Sequence, residues 1–99
     1  MGDELGVGRR FGENLRRVRR QADLSQEELG YRASLHRTEV GLLERGARVP
    51  RIDTLMKLIA ALGIRIECAL LDGIAWRSGN VTTTPGAFTF PTAGSGDDA

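Results

Sequence analysis

The sequence predicts an all-α domain of five short helices followed by a short pair of β-strands. Three observations carry that prediction. Apolar residues recur at helical spacing in successive segments between Arg9 and Leu71. Capping and stop signals punctuate most of those segments. After Asp72 the pattern shortens to strict alternation, with Ile74 and Trp76, then Phe88 and Phe90, on either side of a stretch rich in Ser, Thr, Gly and Pro.

Taken in order, residues 1–8 hold three glycines and two acids without a period, and read as a flexible arm. From Arg9 a helix begins, with Phe11, Leu15, Val18 and Ala22 on one stripe. Its flanks carry Arg9, Arg10, Arg16, Arg17, Arg19 and Arg20. Ser25 opens the second helix with a capping box, its hydroxyl accepting from the Glu28 N–H while the Glu28 carboxylate reaches back to the Ser25 N–H. Leu29 and Tyr31 are expected to pack, and the helix ends near Arg32. Gly30 inside it costs about 1 kcal/mol relative to Ala, a cost best tolerated where another helix comes close.

Ala33-Ser34-Leu35 is the break, with Leu35 pointing inward. His36 caps a third helix from Arg37 to about Arg45, where Val40 and Leu43 continue the buried stripe. Gly46 suits the left-handed stop, and Pro50 holds Val49 extended. A fourth helix follows from Ile52, Leu55, Met56, Ile59 and Leu62, stopped by Gly63. The fifth is expected over Ile64–Leu71 with Ile66, Ala69 and Leu70 facing inward, although no residue is placed to cap it. The expected organisation is an arm at 1–8, a helical domain at 9–73, a β extension at 74–90 and a disordered tail at 91–99.

Composition narrows the function. Ninety-nine residues, 40% of them apolar, bury one modest core. The net charge of +1 conceals an asymmetry: Arg9 to Lys57 holds 12 basic and 7 acidic residues, and the remainder 2 basic and 6 acidic. A basic body with acidic ends favours an anionic partner, against the alternative of a solvated arginine face. The single cysteine, Cys68, excludes an internal disulfide framework and a cysteine-rich zinc site, and fits a reducing cytoplasm. No apolar run approaches the roughly 18 residues of a membrane helix, and the start, with Asp3 and Glu4, does not read as a secretion signal. One His and one Cys in separate segments, without a Gly-rich phosphate loop, argue against an enzyme and call for neither metal nor cofactor.

Residues 11–62 resemble the helix-turn-helix domain of the phage lambda repressor and Cro superfamily, also called the xenobiotic-response-element family. The matching residues are the Leu-Arg-x-x-Arg run of the first helix, Leu24 to Leu29, Val40 to Gly46, Pro50, Leu55 to Leu58, and Leu62-Gly63. The resemblance implies a five-helix domain whose third helix lies in a DNA major groove. By position, Gln26 matches a residue that holds a phosphate at a helix N-terminus. His36, Arg37 and Thr38 match the base-reading start of the third helix, where an arginine can bond bidentately to guanine. One turn on, Leu42 offers apolar contact to a thymine methyl, Gly41 offers no side chain, and Glu39 brings a negative charge near phosphates. Arg9 or Arg10, with Arg45, Arg48 and Arg51, are phosphate-clamp candidates. Arg19 and Glu44 match an ion pair joining the first and third helices.

The function expected is sequence-specific double-stranded DNA binding by a small homodimeric transcription regulator, a repressor, acting on a palindromic operator. Ile74, Trp76, Phe88 and Phe90 are expected either to form the dimer interface or to complete the monomer core. A phage repressor, a restriction-system controller and an antitoxin binding a toxin all stay open, and a protein-bridging module that keeps the fold is the other class. Too few residues follow position 73 for a separate ligand-binding module.

Overall fold

Four helices and a two-stranded antiparallel sheet make up the described part of the chain: α1 (Gly2–Gln21), α2 (Gln26–Ala33), α3 (Arg37–Glu44), α4 (Ile52–Leu62), β1 (Ala75–Arg77) and β2 (Ala87–Thr89). The computed structural model describes residues 2–63, 65, 69–80 and 83–91. Phe11, Leu15 and Val18 of α1 meet Leu29 and Ala33 of α2, Val40 and Leu43 of α3, and Leu58 of α4 in one buried cluster. Among the described residues no helix is long and apolar enough to cross a membrane.

Local chemistry sets most of the boundaries. The Ser25 hydroxyl accepts from the Glu28 N–H at 2.9 Å, and the Ser25 N–H donates to the Glu28 carboxylate at 2.7 Å, which closes the expected capping box. At the other end of α2, Ser34 adopts the left-handed conformation and the Leu35 N–H donates back to Gly30 O at 2.8 Å. Gly46 has φ 75°, and the Ala47 N–H donates to Leu42 O at 3.0 Å, so α3 stops as its sequence predicts.

Two glycines mark places where backbones nearly touch. A Cβ on Gly12 would strike the carbonyl oxygens of Leu43 and Glu44, where α1 crosses α3. A Cβ on Gly30 would lie 2.5 Å from Leu35 O, which explains why α2 carries a poor helix former at that point.

The fifth helix is corrected. Residues 69–73 form turns, while Ile64, Ile66 and Cys68 lie outside the described residues. Leu70 is nevertheless fully buried, and Asn14 supplies what a helix would have supplied. Its amide nitrogen donates to Leu70 O at 2.9 Å and to Asp72 O at 2.8 Å. The left-handed Gly63 has already ended α4.

The arm at 1–8 is also corrected, because α1 begins at Gly2. The hairpin made by β1 and β2 covers this first part of α1. Trp76 pairs with Phe88 in the register, edge-on at 5.0 Å between ring centroids, and the Phe90 ring lies against Gly6. Leu5, Val7 and Phe88 share an open apolar groove of about 470 Å³ with the loop 46–49. The tail expected at 91–99 falls, after Pro91, outside the described residues.

Three packing expectations also change. Tyr31 is 88% exposed, since α2 buries Leu29, Gly30 and Ala33 and position 31 falls on the opposite side. In α4, Thr54 and Leu58 are buried, whereas Ile52 and Met56 are 72% and 64% exposed. The apolar stripe of α4 is wide, and its neighbours bury the edge carrying Thr54 and Leu58 while Ile52 and Met56 lie on the opposite edge. Ala22, expected on the stripe of the first helix, falls in the turn after α1 and is exposed.

The capping box yields a pH prediction. The Glu28 carboxyl is held below its ordinary value, first by the N–H of Ser25 and then by the Ser25 hydroxyl. Its folded-state pKa is depressed, so its contribution is present above the ordinary carboxylate value and lost as pH falls through the depressed one. Urea unfolding at neutral pH and well below pH 4 is therefore expected to show Glu28→Gln less stable than wild type at neutrality, the gap narrowing in acid. An equal gap at both pH values would be the contrary result.

Candidate nucleic-acid interface

The first turns of α2 and α3 and the loop after α3 form one candidate surface. At α2, the capping box consumes the Glu28 N–H and leaves those of Gln26 and Glu27 without a partner among the described residues. Such free N–H groups, with the helix dipole behind them, suit an anion. At α3, the His36 ring accepts from the Thr38 N–H through Nδ1 at 3.0 Å, so it is the N-cap and its other ring nitrogen is left for an outside partner. The pairing requires an unprotonated Nδ1.

Behind this surface lies a buried polar knot. Arg19 donates through Nε and Nη2 to the Glu44 carboxylate at 2.5 and 3.0 Å, and through Nη1 to Leu24 O at 2.8 Å. Gln26 Nε2 donates to the same carboxylate at 3.0 Å. Arg19 is held above its ordinary pKa by the hydrogen bond to Glu44, with burial acting in the opposite direction. The ion pair expected between the first and third helices is present. It fixes Gln26 as well, whose half-buried side chain spans from α2 to α3 beside Gly41.

The remaining expected residues are placed as follows. Arg37 and Thr38 are exposed, and Arg37 stands 3.8 Å from Glu27. Leu42 is half-buried on α3. Arg45 is exposed at the C-cap of α3, its guanidinium beside Gly41. Arg48 pairs with Glu39 at 3.2 Å and Arg51 with Asp53 at 3.4 Å. Arg10 has a different task from a surface clamp: it donates to Gly73 O at 3.1 Å and Pro91 O at 3.2 Å, tying α1 to the hairpin. Ile74 packs on the core, Phe88 and Phe90 are half-buried, and Trp76 is 58% exposed.

One residue that sequence reasoning placed in the core and one of its clamp candidates join this surface. Tyr31 lines a shallow depression with Glu27, Leu35, His36 and Arg37. Its signal was its place two positions after Leu29, off the buried stripe. Arg9 is exposed, and its backbone lies against Gly46 at the end of α3, on the side of α1 that Arg10 leaves.

The sequence profile of a helix-turn-helix domain matches residues 10–67, more than half of the chain. The chain belongs to the helix-turn-helix domain family. This agrees with the resemblance read over residues 11–62 and makes the protein a DNA-binding transcription regulator of the bacterial and phage type. The helix-turn-helix segment is 38% identical over 56 residues to control protein C.BamHI of Bacillus amyloliquefaciens, covering 56% of this chain and 69% of that one. It is 42% identical over 53 residues to the HTH-type transcriptional regulator y4dJ of Sinorhizobium fredii (strain NBRC 101917 / NGR234), with coverage of 54% and 69%. The crystal structure of the restriction-modification controller protein C.AhdI from Aeromonas hydrophila superposes with a TM-score of 0.55 at 41% identity, covering 57% of this chain and 85% of that one.

Two predictions follow from the geometry of the helix-turn-helix. Glu44→Leu leaves the Arg19 guanidinium buried without its counter-charge and is expected to cost about 3 kcal/mol in urea unfolding. A loss under about 1 kcal/mol would show the pair to be dispensable. Glu39→Gln frees Arg48 and removes a negative charge, so affinity for duplex DNA in fluorescence anisotropy should rise and the salt slope steepen by about 1. Unchanged affinity and slope would remove Arg48 from the interface.

Proposed function

We propose that this helix-turn-helix protein is a cytoplasmic, sequence-specific regulator of restriction-modification-controller type, binding double-stranded DNA as a homodimer and repressing by occupying promoter DNA. The observation that carries the reading is the convergence of free α2 N–H groups with the exposed start of α3, both braced by the Arg19–Glu44–Gln26 knot. In this reading α3 enters the major groove, and Arg37 reads a base while Thr38 and His36 contact neighbouring edges. Leu42 lies against a thymine methyl. The first turn of α2 at Gln26, together with Arg45, Arg48 and Arg51, takes phosphates, with Tyr31 supplying a hydroxyl at the rim. The likeness to C.BamHI and C.AhdI, a control protein and a restriction-modification controller by name, supports the regulatory role.

The homodimer rests on geometry and on exposed apolar surface. One recognition helix reads only a few base pairs, and two of them one DNA turn apart read an inverted repeat. Trp76 on β1, with Ile74, Phe88 and Phe90 behind it, offers one surface for a second copy. Ile52 and Met56 on α4 offer another.

Selection of bound duplexes from a random pool tests the proposal. Wild type is expected to recover an inverted repeat with half-sites about 10 bp apart. Arg37→Ala should lose preference at one position in each half-site, a change of about 1–3 kcal/mol in discrimination. Recovery of no common sequence, or an identical motif with Arg37→Ala, would refute base reading by this residue.

A further inference from the structure

The cations of the reading surface are largely compensated in the free protein. Arg37, Arg48 and Arg51 each face a carboxylate, and Arg10, Arg17 and Arg19 do so elsewhere. On α1, Arg9, Arg16 and Arg20 differ: all three are exposed, and none has an acidic partner or a side-chain hydrogen bond among the described residues, which on the reading surface is true of Arg45 as well.

These three fall on one arc of α1. Gly12 faces the last carbonyls of α3, and at 3.6 residues per turn Arg16, Arg9 and Arg20 follow it by about 40°, 60° and 80° around the helix. The arc starts where α1 crosses α3 and runs toward the side that meets the hairpin, where Gly6 and Arg10 lie at about 120° and 160° and Arg9 shares a depression with Phe90. From Arg9 to Arg20 it runs about 16 Å along the axis at 1.5 Å per residue. Beside it, Glu13, Arg16, Arg17, Arg20 and Gln21 line an open cleft of about 490 Å³. Arg16 and Arg20 are like charges at i and i+4, an arrangement that weakens a helix rather than supporting it. Folding therefore gives no reason for the arc, whereas a polyanion does. One strand of duplex DNA carries a charge every 3.4 Å or so, so the arc spans about five phosphates.

We propose that Arg9, Arg16 and Arg20 form a second DNA-backbone surface, which holds phosphates of the duplex flanking the site read by α3. The proposal rests on the DNA-binding reading above and extends the contact beyond the recognition helix. The surface reads no sequence and lengthens the footprint of each protomer. The Arg9 backbone against Gly46 makes the two surfaces continuous.

The test compares wild type with the double variant Arg16→Gln, Arg20→Gln by fluorescence anisotropy, leaving Arg9, which borders the reading surface, unchanged. It uses the selected sequence in a duplex of about 20 bp and in one of about 40 bp with mixed-sequence flanks, from about 50 to 200 mM salt. On the long duplex the variant is expected to show a salt slope shallower by about 2 and an affinity lower by about tenfold or more. On the short duplex the two proteins should match, and the far-UV spectrum and thermal midpoint should be unchanged. Equal slopes on the long duplex would overturn the proposal and leave the arc to an acidic protein. An equal loss on both lengths would also overturn it, since the arc would then touch the central site. Failure of wild type to bind either duplex, with no sequence selected, would instead bring down the DNA-binding reading itself.

Discussion

The bidentate pair between Arg19 and Glu44 is the constraint on which the arrangement of helices depends. Apolar contact among Phe11, Leu15, Leu29, Val40 and Leu43 is non-directional, so it draws the helices together without fixing how they cross. The guanidinium fork is directional. It aims α1 at the last turn of α3, and its third nitrogen reaches the Leu24 carbonyl just ahead of α2. Gln26 closes the set from α2. Two charges are taken out of water here, and the arrangement is tolerable because every exposed lone pair and proton within reach is used; no buried side-chain nitrogen or oxygen among the described residues lacks a partner. The close approach at Gly12 is the complement of the same geometry, since a side chain there would hold α1 and α3 too far apart for the fork to close.

The electrostatics of the reading surface follow a different logic from those of the knot behind it. Arg37 with Glu27, Arg48 with Glu39 and Arg51 with Asp53 are exposed pairs, each worth little to the fold. Their carboxylates can be exchanged for phosphates or base edges at small cost in stability. The same acids lower the attraction of the surface for arbitrary DNA, because each exchange releases a counter-charge the protein already had. Selectivity gains from this at the expense of raw affinity. A surface compensated in this way benefits from uncompensated charge elsewhere, and α1 carries it.

What the sequence made legible was chiefly what is local. The capping box at Ser25 and Glu28, the His36 cap, the left-handed stops at Gly46 and Gly63 and the alternation of Trp76 and Phe88 are all set by residues a few positions apart. The candidate contact residues Gln26, Arg37 and Thr38 came from the family resemblance, whose motif sets them at the starts of α2 and α3. What was hidden depends on partners far along the chain. Residues 2–8 look like a loose arm until Phe88 and Phe90 are brought to them, and Ile52 and Met56 are indistinguishable by type from Leu58. Asn14 gives no sign that it will replace a helix by holding two carbonyls of the 69–73 turn. Arg10 resembles Arg9 in every local respect, yet only Arg10 is drawn inward.

That inward arginine has a consequence for how the molecule is made. Arg10 joins carbonyls that lie 63 and 81 residues further along, so its bonds cannot form until the chain has emerged from the ribosome as far as Pro91. The contacts among α1, α2 and α3 span far shorter separations, and such contacts close early. The reading head can therefore assemble while the chain is still being extended, with the first turns of α1 bare. The hairpin docks last, and with it the N-terminal turns acquire their cover. Maturation thus runs outward from the α1–α3 core, and the first turns of α1 and the hairpin are finished in a single late event.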